Sequence, residues 1–148
     1  MLWKLARPFI LLRLPLPGDI NIMDTVQSKK AIIIVEDNEA IAELMRDALN
    51  AEPDYLATVV PDGALALEVI RSVKANLILL DVTLPGMDGL QLYDILKADE
   101  ATCSIPIIFV TASRSRKEFE KRKITSYIDK PFSLDELLER VAAVCRPE

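Results

Sequence analysis

Apolar residues gather in five short runs along the chain: Ala31 to Val35, Leu56 to Val60, Leu77 to Leu80, Ile107 to Val110, and Tyr127 to Ile128. Their lengths and β-branched content predict strands buried in a parallel sheet. Between the runs the spacing becomes helical. Ile41, Leu44, Met45, Ala48 and Leu49 fall at i, i+3, i+4, i+7 and i+8, one apolar helix face, which Glu52-Pro53 then stops. Ala66, Val69, Ile70 and Val73 form a second face after the turn Pro61-Asp62-Gly63, and Leu92, Tyr93, Ile95 and Leu96 mark a third after the turn-rich Leu84 to Gly89. Ile105-Pro106 opens the fourth strand, where proline is tolerated at the first position. Polar Arg114 to Lys123 predicts a short fourth helix. Ser133 with Glu136 three residues on predicts a capping box that starts the last helix, followed by apolar Leu134, Leu137, Leu138 and Val141. This alternation predicts an α/β fold, a doubly wound five-stranded parallel sheet with right-handed crossovers and helices on both faces.

The strand ends carry the chemistry. Glu36 and Asp37 follow the first run, Asp81 the third, Thr111 the fourth and Lys130 the fifth. The carboxyl ends of parallel strands share one edge, where open α/β sheets place their sites. Three carboxylates brought together there repel strongly unless a cation offsets them. Magnesium suits that role, because it takes hard oxygen ligands and is typically held by one or two carboxylates plus phosphate oxygens. Calcium fits less well, since no EF-hand spacing is present. A carboxylate can itself attack phosphorus to form an acyl phosphate, the protein then supplying position and charge neutralisation. Asp81 is the predicted nucleophile, with Lys130 and the Thr111 hydroxyl as donors to phosphoryl oxygens. Singly, each residue has a structural alternative, a helix cap for an aspartate or a solvated charge for Lys130. Their joint occurrence, in this order at successive strand ends, carries the prediction.

Composition narrows the classes. A chain of 148 residues with 51% hydrophobic residues suffices for one domain. A net charge of −5, from 23 acids and 18 bases, counts against a direct nucleic-acid binder. The chain has no histidine, so any phosphohistidine in its pathway must come from a partner. Cys103 and Cys145 form no C-x-x-C pattern, which suits a reducing, cytoplasmic setting. The four glycines contain neither G-x-G-x-x-G nor a P-loop. Residues 1–29 differ in character, with Trp3, Phe9 to Leu12, Leu14 and Leu16 interrupted by Arg7, Arg13 and three prolines. No membrane span can be built from this segment. It reads as an N-terminal extension, with three alternatives open: a start called too early, Met23 being the true one; a docking arm; or a secretory signal, which Arg13 and the lack of a cleavage site argue against.

The motifs Ile-Val-Glu36-Asp37-Asn38, Leu-Leu-Asp81-Val-Thr-Leu-Pro85-Gly86-Met-Asp88-Gly89, Val-Thr111-Ala112-Ser and Tyr127-Ile-Asp-Lys130-Pro131-Phe resemble the receiver domain of two-component response regulators, over residues 30–146. The resemblance implies a flavodoxin-like sheet of strand order 2-1-3-4-5. Asp81 would be the phosphoacceptor, Asp37 a direct magnesium ligand, Glu36 a water-mediated one, and the Thr83 carbonyl would complete the protein ligands. Thr111 and Tyr127 would be the switch pair, although an aromatic on a strand equally serves packing. Lys130-Pro131 would be a cis peptide. The implied partners are a histidine kinase or histidine phosphotransfer protein and a downstream output protein. Because the chain ends three residues beyond Cys145, the expectation is a stand-alone regulator. Oligomeric state is not written in the sequence. Thr83 and Ser113 would flank the phosphoryl group without orienting water, implying slow self-dephosphorylation.

Two rivals stand beside this reading. An aspartate-nucleophile phosphatase would need a second aspartate where Thr83 stands, and a receiver-like scaffold would bind partners without phosphorylation. One departure from the family is local. The stretch from Thr111 to Lys130 is short, and Lys123-Ile124 replaces the usual Gly-Ala, so the fourth helix is expected to be truncated. Its six bases against Glu118 and Glu120 suit either a solvated helix or a basic docking face.

Overall fold

The computed structural model describes residues 29–112 and 115–146. The expectations placed on the N-terminal extension and on Ser113 lie outside them. The order is β1 (Lys30–Val35), α1 (Glu39–Asn50), β2 (Tyr55–Val60), α2 (Gly63–Val73), β3 (Leu77–Leu80), α3 (Gly89–Ala98), β4 (Ile107–Thr111), α4 (Arg116–Lys121), β5 (Tyr127–Asp129) and α5 (Leu134–Cys145). The five strands form one parallel sheet in the order β2-β1-β3-β4-β5. That is the expected fold. β3 and β4 are buried along their whole length, as their unbroken apolar runs require.

Side chains alternate across the sheet and build a core on each face. Ile33, Val35, Ile78, Leu80 and Phe109 meet Ala66 and Ile70 of α2, Leu92 and Leu96 of α3, and Phe119 of α4. Ile32, Ile34, Leu77, Leu79, Ile108, Val110 and Ile128 meet Met45 and Leu49 of α1 and Leu137 and Val141 of α5.

Helix starts are set by local side-chain bonds. Asn38 caps α1, Asp62 caps α2, and Asp88 with Gln91 forms a reciprocal capping box on α3. At α5 the Ser133 hydroxyl accepts from the Glu136 amide at 3.1 Å, so the predicted box forms its Ser133 half. Only the last box was read from sequence; in the Asp88–Gln91 box the cap residue Asp88 sits in the turn-rich stretch Leu84 to Gly89 assigned to a loop.

Three elements differ in detail from the bare sequence pattern. β4 begins at Ile107, two residues after the predicted opening, and Pro106 contributes its carbonyl to the Ile78 amide at 3.0 Å. α4 spans Arg116–Lys121, six residues, in keeping with the truncation expected from the short Thr111 to Lys130 stretch. In α1 the buried positions are Ala42, Met45 and Leu49, while Leu44 is 49% exposed. The periodicity was right and its centre was off by part of a turn, because Ala42 is small enough to lie against the sheet.

Candidate functional site

Register brings the polar strand ends together. Val35 of β1 pairs with Leu80 of β3 and Val60 of β2, so Glu36 and Asp81 leave the sheet side by side. The Asp81 amide donates to the Val35 carbonyl at 3.0 Å, and the Glu36 amide to the Val60 carbonyl at 3.3 Å. On the other side, Thr111 pairs with Asp129, and the Lys130 amide donates to the Thr111 carbonyl at 2.8 Å. Four strands therefore deliver their terminal residues to one edge.

The side chains then converge. The Lys130 ammonium donates to Glu36 Oε1 at 2.5 Å and to Asp81 Oδ2 at 3.0 Å. The other Asp81 oxygen, Oδ1, accepts from the Thr83 amide at 3.3 Å. Carboxylate oxygens of Glu36, Asp37 and Asp81 lie within 4.8 Å of one another. Glu36, Asp81 and Thr111 are buried, whereas Asp37 and Thr83 are exposed. Tyr127, half-buried on β5, packs against Phe119 at 5.3 Å between ring centroids. Lys130-Pro131 is cis.

Electrostatics follow from this crowding. Burial, reinforced by the hydrogen bond to Asp81 and opposed by Lys130, pushes the Glu36 carboxyl up to about 7. Burial works against the Lys130 charge, but its bonds to Glu36 and Asp81 outweigh that and move its proton affinity upward. One cation thus offsets two buried acids with a third carboxylate adjoining.

This donor set fits a hard divalent cation. Glu36 Oε2 is buried with no hydrogen-bond partner, an atom that a metal-bound water or the ion itself would satisfy. Asp37 offers an exposed carboxylate on the same side.

Two glycines hold the surrounding loops against the site. A β-carbon on Gly89 would collide with the Asp81 carbonyl, and one on Gly63 with the Met87 carbonyl. The start of α3 therefore packs backbone to backbone against the residue that carries the central carboxylate. Sequence reasoning quoted Gly89 within a motif and missed this contact, which joins residues eight apart through a turn. It also missed Arg116, whose guanidinium lies over the Tyr127 ring.

A family model described as the response regulator receiver domain matches residues 32–142. The sensory transduction protein RegX3 of Mycobacterium tuberculosis is 39% identical over 121 residues, covering 78% of this chain and 51% of that protein. The DNA-binding response regulator MtrA of the same organism is 34% identical over 127 residues, covering 84% of this chain and 53% of its own length. The chain thus spans about half the length of the curated relatives it matches. Among solved structures, the receiver domain of a Pseudomonas aeruginosa sensor histidine kinase, with magnesium coordinated in its active-site cleft, superposes with a TM-score of 0.69. It is 28% identical and the match covers 80% of this chain and 99% of that one.

Proposed function

Since this chain belongs to the response regulator receiver domain family, a family of phosphoacceptor signalling domains rather than conventional enzymes, we propose that Asp81 accepts a phosphoryl group from a phosphohistidine partner and that the charge gained changes the protein's binding surface. The observation that carries this reading is the Lys130 ammonium shared between Glu36 and Asp81, in a pocket where three carboxylates come within 4.8 Å.

In the transfer, an Asp81 carboxylate oxygen attacks phosphorus, the bond from phosphorus to the donor imidazole nitrogen breaks, and the imidazole leaves with that electron pair. Lys130 is already hydrogen-bonded to Asp81, so it lies within reach of a phosphoryl oxygen on that carboxylate. Thr111, on the neighbouring strand end, would supply a hydroxyl donor to another. Glu36, Asp37, Asp81 and the Thr83 carbonyl would hold Mg2+. Bound there, the ion neutralises charge on the carboxylates and the phosphoryl oxygens. The partner would be a histidine kinase or a histidine phosphotransfer protein, because this chain contains no histidine of its own.

Movement of the Thr111 hydroxyl to the phosphoryl group leaves space that Tyr127 would enter, giving a two-state switch whose states differ in surface shape. No helix among the described residues is long and apolar enough to cross a membrane; the proposed setting is the cytoplasm, where the phosphohistidine partner would be met.

The test is labelling with acetyl phosphate, with and without magnesium. The wild-type chain should acquire one hydroxylamine-labile acyl phosphate in magnesium and almost none in chelator, and Asp81→Asn should acquire none while keeping its fold. Equal labelling of Asp81→Asn would overturn the assignment.

A further inference from the structure

Arg116 opens α4, a helix of six residues, and its side chain reaches two residues of β5. Its guanidinium carbon lies 5.9 Å from the centroid of the Tyr127 ring, and Nη2 lies 3.5 Å from Asp129 Oδ2. Asp129 is the register partner of Thr111 and directly precedes Lys130. One side chain therefore joins the aromatic ring to the strand end that carries the site.

The ring has room to move. It borders a cleft of about 240 Å³ whose other walls are Arg116, Phe119, Glu120, Ile124 and Thr125. Phe119 itself packs on Phe109 in the core at 4.8 Å between ring centroids, whereas Arg116 is exposed.

We propose that Arg116 is a positioning residue that holds Tyr127 in its resting place and so sets how far the Thr111–Tyr127 switch lies toward the unphosphorylated state. The proposal rests on the switch reading above. The hold suits a latch because it is weak: the Arg116 side chain is 61% exposed, and a cation over an aromatic face in water shifts an equilibrium by only about two- to five-fold. Asp129, which holds the other side of Arg116, directly precedes Lys130, so the latch is tied to the strand end that carries the site.

The test uses the full chain labelled with 3-fluorotyrosine and followed by fluorine NMR. Its three tyrosines are resolved by assigning Tyr127 with Tyr127→Phe. Acetyl phosphate with magnesium defines the phosphorylated position of the Tyr127 resonance. Arg116→Ala should move the unphosphorylated resonance toward that position, equivalent to about two- to five-fold more of the released state. Arg116→Lys, which keeps the charge but loses the planar stack, should lie between. Asp81 labelling should persist in both variants, and Tyr55, on the opposite face of the sheet, should not move. If Asp81 is labelled and phosphorylation moves Tyr127 while Arg116→Ala leaves the resting resonance in place, the latch is refuted and the proposed function stands. Movement of Tyr55 as well would mark a general loosening and refute the latch. If the wild-type chain takes no label, or takes it without moving Tyr127, the switch reading fails and the latch fails with it.

Discussion

At the scale of residues, Glu36 carries several constraints at once. It is buried, gives one oxygen to Lys130 and keeps the other unpartnered. Its carboxyl ordinarily titrates near 4.5 and is pushed up to about 7 here, first by burial and then by the hydrogen bond to Asp81, with Lys130 opposing. The folded state then holds a proton that the unfolded chain has released, so metal-free protein loses stability as pH rises from about 4.5 to about 7 and levels off above. Glu36→Gln should flatten that slope, which urea melts in chelator between pH 4.5 and pH 8 would measure. A slope of unchanged size in the variant would show that another group is responsible. Asp37 differs: it is exposed, and its carboxylate lies beside the other two acids. Asp37→Ala should therefore weaken magnesium binding more than Glu36→Gln does, read by titration calorimetry, and the reverse order would exchange their roles.

At the scale of elements, α4 departs most from its neighbours. Its six residues compare with ten to twelve in the other helices. Its end is a Schellman motif, with the Ile124 amide donating to the Phe119 carbonyl at 2.8 Å and the Lys123 amide to Glu120 at 3.1 Å. That motif needs a left-handed residue, and Lys123 takes it at φ 57°. A lysine there bears a steric cost that glycine avoids, although glycine loses more chain entropy on folding. Lys123→Gly should therefore stabilise the protein by about 0.5 to 1 kcal/mol in denaturant melts; a loss of stability would mean that the lysine side chain holds something in place.

Arg122 secures the same helix from the other side. Its Nε and Nη2 donate to the two Asp94 oxygens of α3 at 2.8 and 2.9 Å, and Nη1 donates to Glu118 Oε2 at 2.8 Å. The hydrogen bond from Arg122 is the main cause that lowers the Asp94 carboxyl below its ordinary range. The basic stretch that sequence alone read as solvated or as a docking face thus contains two arginines committed to neighbouring elements.

At the scale of the whole molecule, the sheet separates two cores. Ile70 belongs to the core under α2 and α3, and Ile128 to the one under α1 and α5. Trimming one methyl from each should cost about 0.5 to 1.5 kcal/mol. With no shared partners across the sheet, the double variant Ile70→Val and Ile128→Val should equal the sum within about 0.5 kcal/mol. A coupling larger than that in urea melts would show that the strands transmit packing between faces, as a switch relayed through the sheet would require.

The strands, their parallel order and the identity of the residues at their ends were legible in the sequence, because buried parallel strands are apolar throughout and polar residues stand out where they stop. Glu36, Asp37, Asp81, Thr111 and Lys130 could be read as one set for that reason, before any distance was known. What sequence could not decide was how those groups divide their contacts. That Lys130 spans Glu36 and Asp81, that Glu36 keeps a buried free oxygen, and that Asp37 stays exposed all depend on register between strands up to 94 residues apart. Arg116 is the sharpest case. Its charge was visible, but its place over Tyr127 follows from where the short α4 settles against β5, a contact between elements that no periodicity along one chain encodes.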